Sequence, residues 1–591
     1  RDSVPARTCG SAAGRLDGGN VKNREIADIF HSLADVLEIK GESPFRVNAY
    51  RRASRILSDL PDDVADRAEA GTLTDIAGIG RGTADAIMEY LETGKIRAYD
   101  EERRSIPKGL TELLRIPGLG PKTIGLLWKE LDVRTLRQLK RAVRGRKILD
   151  LPGMGEKKAA NIEAAIRAYE SRSGRLSLGD ILPTAEALVA DLVGATGVRE
   201  IRIAGSVRRG RETIGDVDVL VATGRPKPVV EAFTGLPSVG EVLARGTTKA
   251  SVRTVDGIQI DLRVVARSSF GAALMYFTGS KDHNIRLRGL AQERGYKLNE
   301  YGLFKGDRCL AAKTESAVYR RLGLPFIPPE LREDRGEVEA ALDGELPELV
   351  ELGDIRGDLH VHSDWSDGKA TIEEVARAAR ARGYAYVSIN DHSRSLGIAR
   401  GLSIDRLREQ GEEIDRVDRR LRGIRVLKGT EVDIKSDGTL DFPDEVLAEL
   451  DVVVASVHSG FSQSRDRLTA RIVSAIENPH VDIIGHPTGR LLGTRPAYEV
   501  DLEEVMRAAA EHGTALEINA YQERLDLSGV HARRAVELGA MVAIGTDAHH
   551  IDQLWMMDLG VRTARRGWLE ACNVLNTMKT AALARWLKER R

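Results

Sequence analysis

Residues 358–368 read DLHVHSDWSDG. Six apolar runs follow: YAYVSINDHS (384–393), IRVLKGTEVDI (424–434), DVVVASVHS (451–459), VDIIGHP (481–487), TALEINA (514–520) and MVAIGTDAHH (541–550). Each is short and rich in β-branched residues, and each carries a histidine, aspartate or glutamate at or near its end. Polar stretches of helical length separate them, so this half of the chain alternates strand and helix. Ligands at the ends of successive parallel strands converge on the mouth of a barrel. Scattered His, Asp and Glu brought together in this way build a multinuclear metal site. In His360-Val361-His362 the two imidazoles fall on one face of a strand, two residues apart.

Toward the N-terminus, residues 205–221, GSVRRGRETIGDVDVLV, carry a different cluster. Asp216 and Asp218 are two apart in a strand, so both carboxylates point to one face. Two such groups repel unless cations lie between them. Two Mg²⁺ or Mn²⁺ ions held this way serve in-line phosphoryl displacement. The run IQIDLRVV (258–265) supplies a third acid, Asp261, with Ile258, Ile260 and Leu262 on the opposite, buried face. Gly205 and Ser206 are expected to begin the turn that cradles a triphosphate, with charge from Arg208 and Arg209.

Further forward, IAGIGRGTADAI (76–87), IPGLGPKTIGLL (116–127) and LPGMGEKKAANI (151–162) repeat one pattern: apolar-x-Gly-apolar-Gly, then a helix start. The glycine pairs Gly78/Gly80, Gly118/Gly120 and Gly153/Gly155 allow a tight turn and leave N–H groups at a helix N-terminus, where a DNA phosphate can sit. Such groups do not read bases, so binding is expected to be blind to sequence. Residues 134–147, RTLRQLKRAVRGRK, lie between the second and third repeats and hold seven basic residues and no acid, a second surface suited to phosphate.

Bulk properties set the frame. The chain has 591 residues, 42% hydrophobic, with a net charge of zero, so total charge selects no partner and the size implies roughly three to five domains. The three cysteines, Cys9, Cys309 and Cys572, are far apart and imply neither a disulfide framework nor a cysteine zinc site. No apolar run approaches the roughly 18 residues that span a membrane, and the start lacks a signal-peptide core. We therefore expect no membrane partner and a cytoplasmic, nucleoid-associated protein that acts as a monomer.

These motifs carry two resemblances. Residues 22–335 resemble the nucleotidyltransferases of the DNA polymerase beta type, family X. The match includes YFTGS (276–280), Asn284 and Arg288. The resemblance implies that Asp216, Asp218 and Asp261 hold the catalytic metals, with Asp261 nearest the primer 3′-OH. Gly205, Ser206, Arg209 and Gly215 would hold the triphosphate. Tyr276 and Phe277 would pack on the incoming sugar and base, with Gly279 in the same nucleotide-binding set, while Asn284 would reach the minor-groove edge and Arg288 the template. The position of the vertebrate lyase lysine is Ala86 here, which has no amine for a Schiff base, so little lyase activity of that kind is expected.

Residues 355–575 resemble the PHP (polymerase and histidinol phosphatase) domain. The ligands this implies are His360, His362, Asp367, His392, Glu431, His458, His486, Asp547 and His549, enough for up to three ions of Zn²⁺, Mn²⁺ or Fe. None of the nine is missing from the sequence. Arg490 is read either as steering a phosphate or as a surface residue, and Asp391 and Lys428 as supporting residues.

The expected layout is multidomain α/β. It has a leader (1–21), a helical domain with the first helix-hairpin-helix (22–105) and a fingers-like helical domain with two more (106–175). A nucleotidyltransferase palm (176–268), a thumb (269–335), a linker (336–355) and a distorted (β/α)7 PHP barrel (356–591) complete it. The expected function is a DNA-directed DNA polymerase that fills short gaps with dNTPs on gapped or nicked DNA during repair. The PHP half would be a metal-dependent 3′–5′ exonuclease, and the family also allows cleavage at abasic sites and removal of 3′-phosphates. The alternatives are a PHP half that is a small-molecule phosphatase or a non-catalytic scaffold. A triplicated DNA grip argues against the first and a full ligand set against the second.

Overall fold

The computed structural model describes residues 19–60, 64–76, 78–114, 116, 119–172 and 175–589. Residues 1–18 of the expected leader lie outside these, while 19–21 already belong to the helix Gly19–Lys40. The chain divides into two compact units, Arg1–Ser173 and Gly174–Arg591.

The first unit is helical. The described residues of its three repeats share a buried residue and a hydrogen bond. The residue between the two glycines is buried each time (Ile79, Leu119, Met154). Its N–H donates to the residue that opens the repeat: Ile79 to Ile76 O at 2.9 Å, Leu119 to Ile116 O at 3.1 Å and Met154 to Leu151 O at 3.1 Å. Gly78 and Gly153 take positive φ (101° and 72°), where a side chain would be strained. Gly80 and Gly120 cap the helices Arg81–Thr93 and Pro121–Leu131, and Gly155 precedes Glu156–Arg172. A Cβ added at Gly80, Gly120, Gly153 or Gly155 would meet nothing within 4 Å, so the turns present bare backbone. Gly118 lies outside the described residues. Ala86 is buried beside Ile79 and Ile87, an apolar setting. In the basic stretch, the helix Leu136–Arg144 buries Leu139, Ala142 and Val143 and exposes Arg141 and Arg144.

The second unit opens with a five-stranded sheet in the order 201–203, 217–222, 259–265, 249–254, 239–245. Strand Val217–Ala222 runs parallel to Gln259–Val265, with Asp218 directly opposite Asp261. Ile258, Ile260 and Leu262 are buried, and Phe233, Leu182 and Leu188 from the covering helices pack into the same core. Alternation along one strand thus points its aspartate away from the core that holds the strand.

A helix, Lys281–Glu293, and a small three-stranded sheet follow. The stretch expected as a linker folds: helix Glu337–Asp343 brings Glu337, fully buried, to 2.6 Å from His283 Nδ1. His283 Nε2 lies 2.9 Å from the Tyr319 hydroxyl. A polar pair sealed in an apolar cluster needs every partner satisfied, and here each ring nitrogen has one.

Seven parallel strands, from Gly357–Val361 to Val542–Gly545, then lie side by side in chain order. The last returns to the first: Val361 bridges Ala548, and Asp547 N–H donates to His360 O at 2.9 Å. The barrel is nearly closed, as expected. Its strands are buried along their length, which is why they read as continuous apolar runs.

Candidate catalytic centres

The palm centre lies at a pocket of about 590 Å³ lined by Gly205, Ser206, Arg209, Asp216, Asp218, Tyr276, Phe277, Gly279, Asn284 and Arg288. Gly215 sits in the turn that precedes Asp216. Asp218 is pushed up to about 6, first by burial and then by Asp216 and Asp261. Charge repulsion of this kind is what divalent cations relieve, so the three carboxylates fit such ions. Asp261 Oδ1 accepts from the Ser251 hydroxyl, which orients it. Tyr276 and Phe277 meet edge to face, and Asn284 Nδ2 donates to Tyr276 O at 2.8 Å. Arg288 is exposed and donates to Asn284 O at 3.3 Å.

The two arginines part ways. Arg208 turns from the pocket to a two-point bond with Glu315, at 2.9 and 2.6 Å. Arg209 stays at the pocket, yet its Nε donates to Glu333 at 3.0 Å and its Nη1 to Thr278 O. Arg175, Arg211 and Lys281 also line the pocket, and sequence reading did not single them out.

In the barrel, eight of the nine residues fall into three overlapping groups whose ligand atoms lie within 4.8 Å of one another. These are His362/Asp367/His392/His549, His360/His362/Asp547 and His392/Glu431/His458. The ninth, His486, stands outside the groups, with Nε2 3.0 Å from Glu431 Oε1. Glu431 is the hub: His392 Nδ1 approaches its Oε2 to 2.9 Å, His458 Nε2 its Oε1 to 3.3 Å, and His360 and His362 come to 3.6 and 3.7 Å. Asp547 Oδ1 is 3.1 Å from His362 Nε2.

The electrostatics divide the set: against burial, neighbouring carboxylates push His360 up, and His458 and His549 up to about 9. Burial would raise Glu431, but His458, His392 and His360 outweigh it and hold the carboxylate well below its usual range. Asp547 is likewise kept ionised by His362, His360 and His549 against its burial. His362 is lowered to about 4 by burial and by His549 and His392, and His486 to about 3 by burial and Arg524. Both are therefore neutral imidazoles, the form that binds metal. Both ring nitrogens of His362 and Nδ1 of His486 are buried without a hydrogen-bond partner in the structure. Buried nitrogens so rarely go unpaired that this donor set fits metal ions.

Behind the cluster, Glu517 Oε1 lies 2.7 Å from His360 Nδ1 and Asp433 Oδ1 2.5 Å from His458 Nδ1. Such outer partners select the tautomer and aim the ring. Sequence reading assigned neither, although both lie in runs it had picked out. Asp391 is buried and accepts from Ser363 and Ser366, and Lys428 pairs with Asp415 at 2.8 Å, so neither faces the cluster. Arg490 is half-buried rather than a free surface residue: it donates to Arg524 O at 3.1 Å and pairs with Glu212 of the palm at 3.2 Å, a brace between the two domains. Arg524 instead approaches Asp547 Oδ2, at 3.4 Å, with its Nη1 buried and without a hydrogen-bond partner.

Family profiles match in four places: a helix-hairpin-helix domain at 21–96, a SAM-like helix-hairpin-helix tandem at 110–168, a DNA polymerase beta thumb at 273–333 and a PHP domain at 358–521. Among relatives, DNA polymerase lambda of Rattus norvegicus is 27% identical over 351 residues, 53% of this chain and 56% of its own. A probable phosphatase of Thermoanaerobacter sp. (strain X514) is 34% identical over 247 residues, 40% of this chain and 95% of its own. The DNA polymerase/3′-5′ exonuclease PolX of Bacillus subtilis (strain 168) is 41% identical over 569 residues, 96% of this chain and 99% of its own. An identity of that size along nearly the whole of both chains, over helix-hairpin-helix units, a polymerase beta thumb and a PHP barrel, means that this chain belongs to the bacterial PolX family of DNA polymerase/3′-5′ exonucleases.

Proposed function

We propose that this chain fills short gaps in DNA at the palm and trims 3′ ends at the barrel, on gapped or nicked DNA and with dNTPs as the second substrate. The observation that carries this reading is the presence, on one chain, of two separate ligand clusters and a set of three glycine turns suited to phosphate. At the palm, Ser206 and Arg209 hold the triphosphate, and Tyr276 and Phe277 take the sugar and base. The Asp261 carboxylate accepts the proton of the primer 3′-OH as that oxygen attacks the α-phosphorus and pyrophosphate leaves. Two Mg²⁺ or Mn²⁺ ions held by Asp216, Asp218 and Asp261 supply the charge that this displacement needs.

At the barrel, up to three Zn²⁺, Mn²⁺ or Fe ions held by the nine ligands supply Lewis-acid charge to a phosphodiester and to the attacking water. Glu431 and Asp547 stay ionised, His362 and His486 stay neutral, and Arg524 Nη1 is free to donate to a phosphate oxygen. Glycine turns that bare their backbone hold the DNA without reading it. Trimming followed by filling suits a monomeric repair enzyme of the bacterial cytoplasm, and Ala86 leaves it little lyase activity.

The test is a 5′-labelled primer on a one-nucleotide gap with Mn²⁺, with and without dNTPs. Asp261→Ala is expected to stop extension and leave shortening, and His360→Ala to do the reverse. Shortening that survives His360→Ala and vanishes in Asp261→Ala would sink the nuclease reading. The probable phosphatase among the relatives motivates a second reading, a barrel that hydrolyses small phosphate esters. Salt separates the two: shortening of DNA should fall with salt at a log–log slope of roughly −0.7 to −0.9 per phosphate contact, and a small ester should show almost none.

A further inference from the structure

The helix Met557–Arg566, which packs on the barrel after its last strand, ends inside the polymerase half. Arg566 Nη1 donates to the backbone carbonyl of Arg209 at 2.8 Å and to Glu333 Oε1 at 3.0 Å. Glu333 is the carboxylate that takes Arg209 Nε at 3.0 Å and Arg211 Nη1 at 3.3 Å, and its side chain is only 8% exposed. One buried carboxylate thus joins three guanidiniums. Two belong to the segment that lines the nucleotide pocket and the third comes from the barrel domain. Gly210, between those two, takes a positive φ of 64°, and a Cβ there would come within 3.3 Å of Arg562 and 3.6 Å of Arg566. The loop has been left without a side chain where the barrel helix presses on it. The other face of the Arg209 head lies on the turn at Gly279, where an added Cβ would sit 3.1 Å from Nη1.

Arg209 is therefore held from two sides, and one side is not part of the polymerase half. Burial opposes the ionised form of Glu333, and Arg209 and Arg566 together outweigh it. With both arginines present, the carboxylate is shared and Arg209 keeps charge to offer a phosphate. Without Arg566, Glu333 pairs with Arg209 more completely and the carbonyl of Arg209 loses its anchor. Preorganised charge at a binding site depends on such supporting bonds, because a guanidinium that must first be pulled from a carboxylate binds phosphate less well.

We propose that Arg566 is a positioning residue of the polymerase site: through Arg209 and Glu333, the barrel domain sets the shape and charge of the pocket for the dNTP triphosphate. This rests on the reading of that pocket as the nucleotide site. It makes the PHP domain a structural part of the polymerase, whatever its own metals do.

The experiment uses the full chain on a one-nucleotide gap, with initial rates measured against dNTP and against DNA concentration. Four variants are compared: Arg566→Met, Glu333→Gln, Arg209→Ala and Arg565→Ala. Arg565 lies on the same helix and bonds Glu330 at 2.7 Å, so it belongs to the same interface without touching Arg209. Arg566→Met is expected to raise KM for dNTP about tenfold with a smaller change in kcat, the signature of lost binding rather than lost chemistry. KM for DNA and primer shortening at the barrel should stay within about twofold of wild type. Glu333→Gln should also raise dNTP KM, because Glu333 is the group that joins Arg566 to Arg209. Arg565→Ala should resemble wild type.

If Arg566→Met leaves dNTP KM at the wild-type value, or Arg565→Ala raises it as much, the positioning role is wrong. Loss of primer shortening in Arg566→Met would likewise overturn it, since the effect would then be one of domain packing. Arg209→Ala distinguishes the two levels. Should it leave dNTP KM unchanged, the nucleotide pocket itself has been misassigned and the inference falls with it. Should it raise dNTP KM while Arg566→Met does not, the pocket stands and only the inference fails.

Discussion

The palm and the barrel both gather acidic side chains for cations, but they do so in opposite ways. The palm offers Asp218 and Asp261 on adjacent strands and Asp216 just ahead of the first of them, beside a pocket of about 590 Å³. Burial, and then Asp216 and Asp261, push Asp218 up to about 6, and Arg263 and Arg209 offset this only in part. The barrel buries a histidine-rich set around Glu431, with Glu517 and Asp433 bracing the rings from behind. On the proposed reading, the first site would be completed by ions that share the phosphate oxygens of a nucleotide. The second has a full ligand set before any substrate binds. The contrast teaches that a carboxylate-only centre beside an open pocket suits exchangeable ions, while a buried set rich in imidazoles suits resident ones.

That contrast can be broken most directly at Glu431. Glu431→Gln removes the charge that five histidines approach. It is expected to cut metal retained per chain after dialysis, and primer shortening with it, by more than the roughly 10–100-fold typical of losing an outer partner. Extension at the palm should be unchanged. Elemental analysis that finds wild-type metal in this variant would mean the cluster is not a resident metal site.

A smaller effect sharpens the role of the bracing groups. Glu517→Gln leaves every ligand in place but weakens the partner of His360 Nδ1. Metal affinity or shortening should fall roughly 10–100-fold, and extension should not move. Equal shortening in wild type and variant would reduce Glu517 to packing.

The smallest expected effect tests the palm. The folded Asp218 carboxyl is pushed up to about 6 from the ordinary aspartate value of 3.8, so the folded state holds its proton more tightly than the unfolded one. The resulting penalty is absent below about pH 4, grows as pH rises toward about 6 and is complete above that. Asp218→Asn removes it. In chelator at pH 7.5 the variant should melt about 2–4 °C above wild type, and the two should coincide near pH 4. Adding Mg²⁺ should favour wild type, because only it binds the ions fully. A variant that melts below wild type in chelator at pH 7.5 would show that Asp218 is not under repulsion.

Much of this architecture was legible in the chain. The barrel could be read because fully buried parallel strands must be apolar along their length, and the ligands punctuate those runs at their ends. The palm could be read because alternation along Val217–Ala222 and Gln259–Val265 separates core from carboxylate. The hairpins could be read because the same five-residue turn occurs three times with its glycines in place. Other features were not legible. Glu431 and Glu517 both lie in apolar runs, yet one faces the cluster and the other backs His360, a difference of strand position that local pattern does not carry. Arg208 and Arg209 are neighbours, and only the docking of Glu315 and Glu333, more than a hundred residues away in the chain, separates their roles.

By itself, the sequence determined which elements form, which residue types stand at their ends and hence which chemistry is available. Periodicity and turn chemistry are local, and they survive in the linear text. The tertiary structure alone decided that Arg490 braces the palm through Glu212, that Glu337 seals His283 and that Arg566 of the barrel reaches Arg209. Each of those contacts joins segments far apart in the chain. Their geometry follows from how whole layers pack, and a pairwise approach of that kind leaves no periodic trace in either segment.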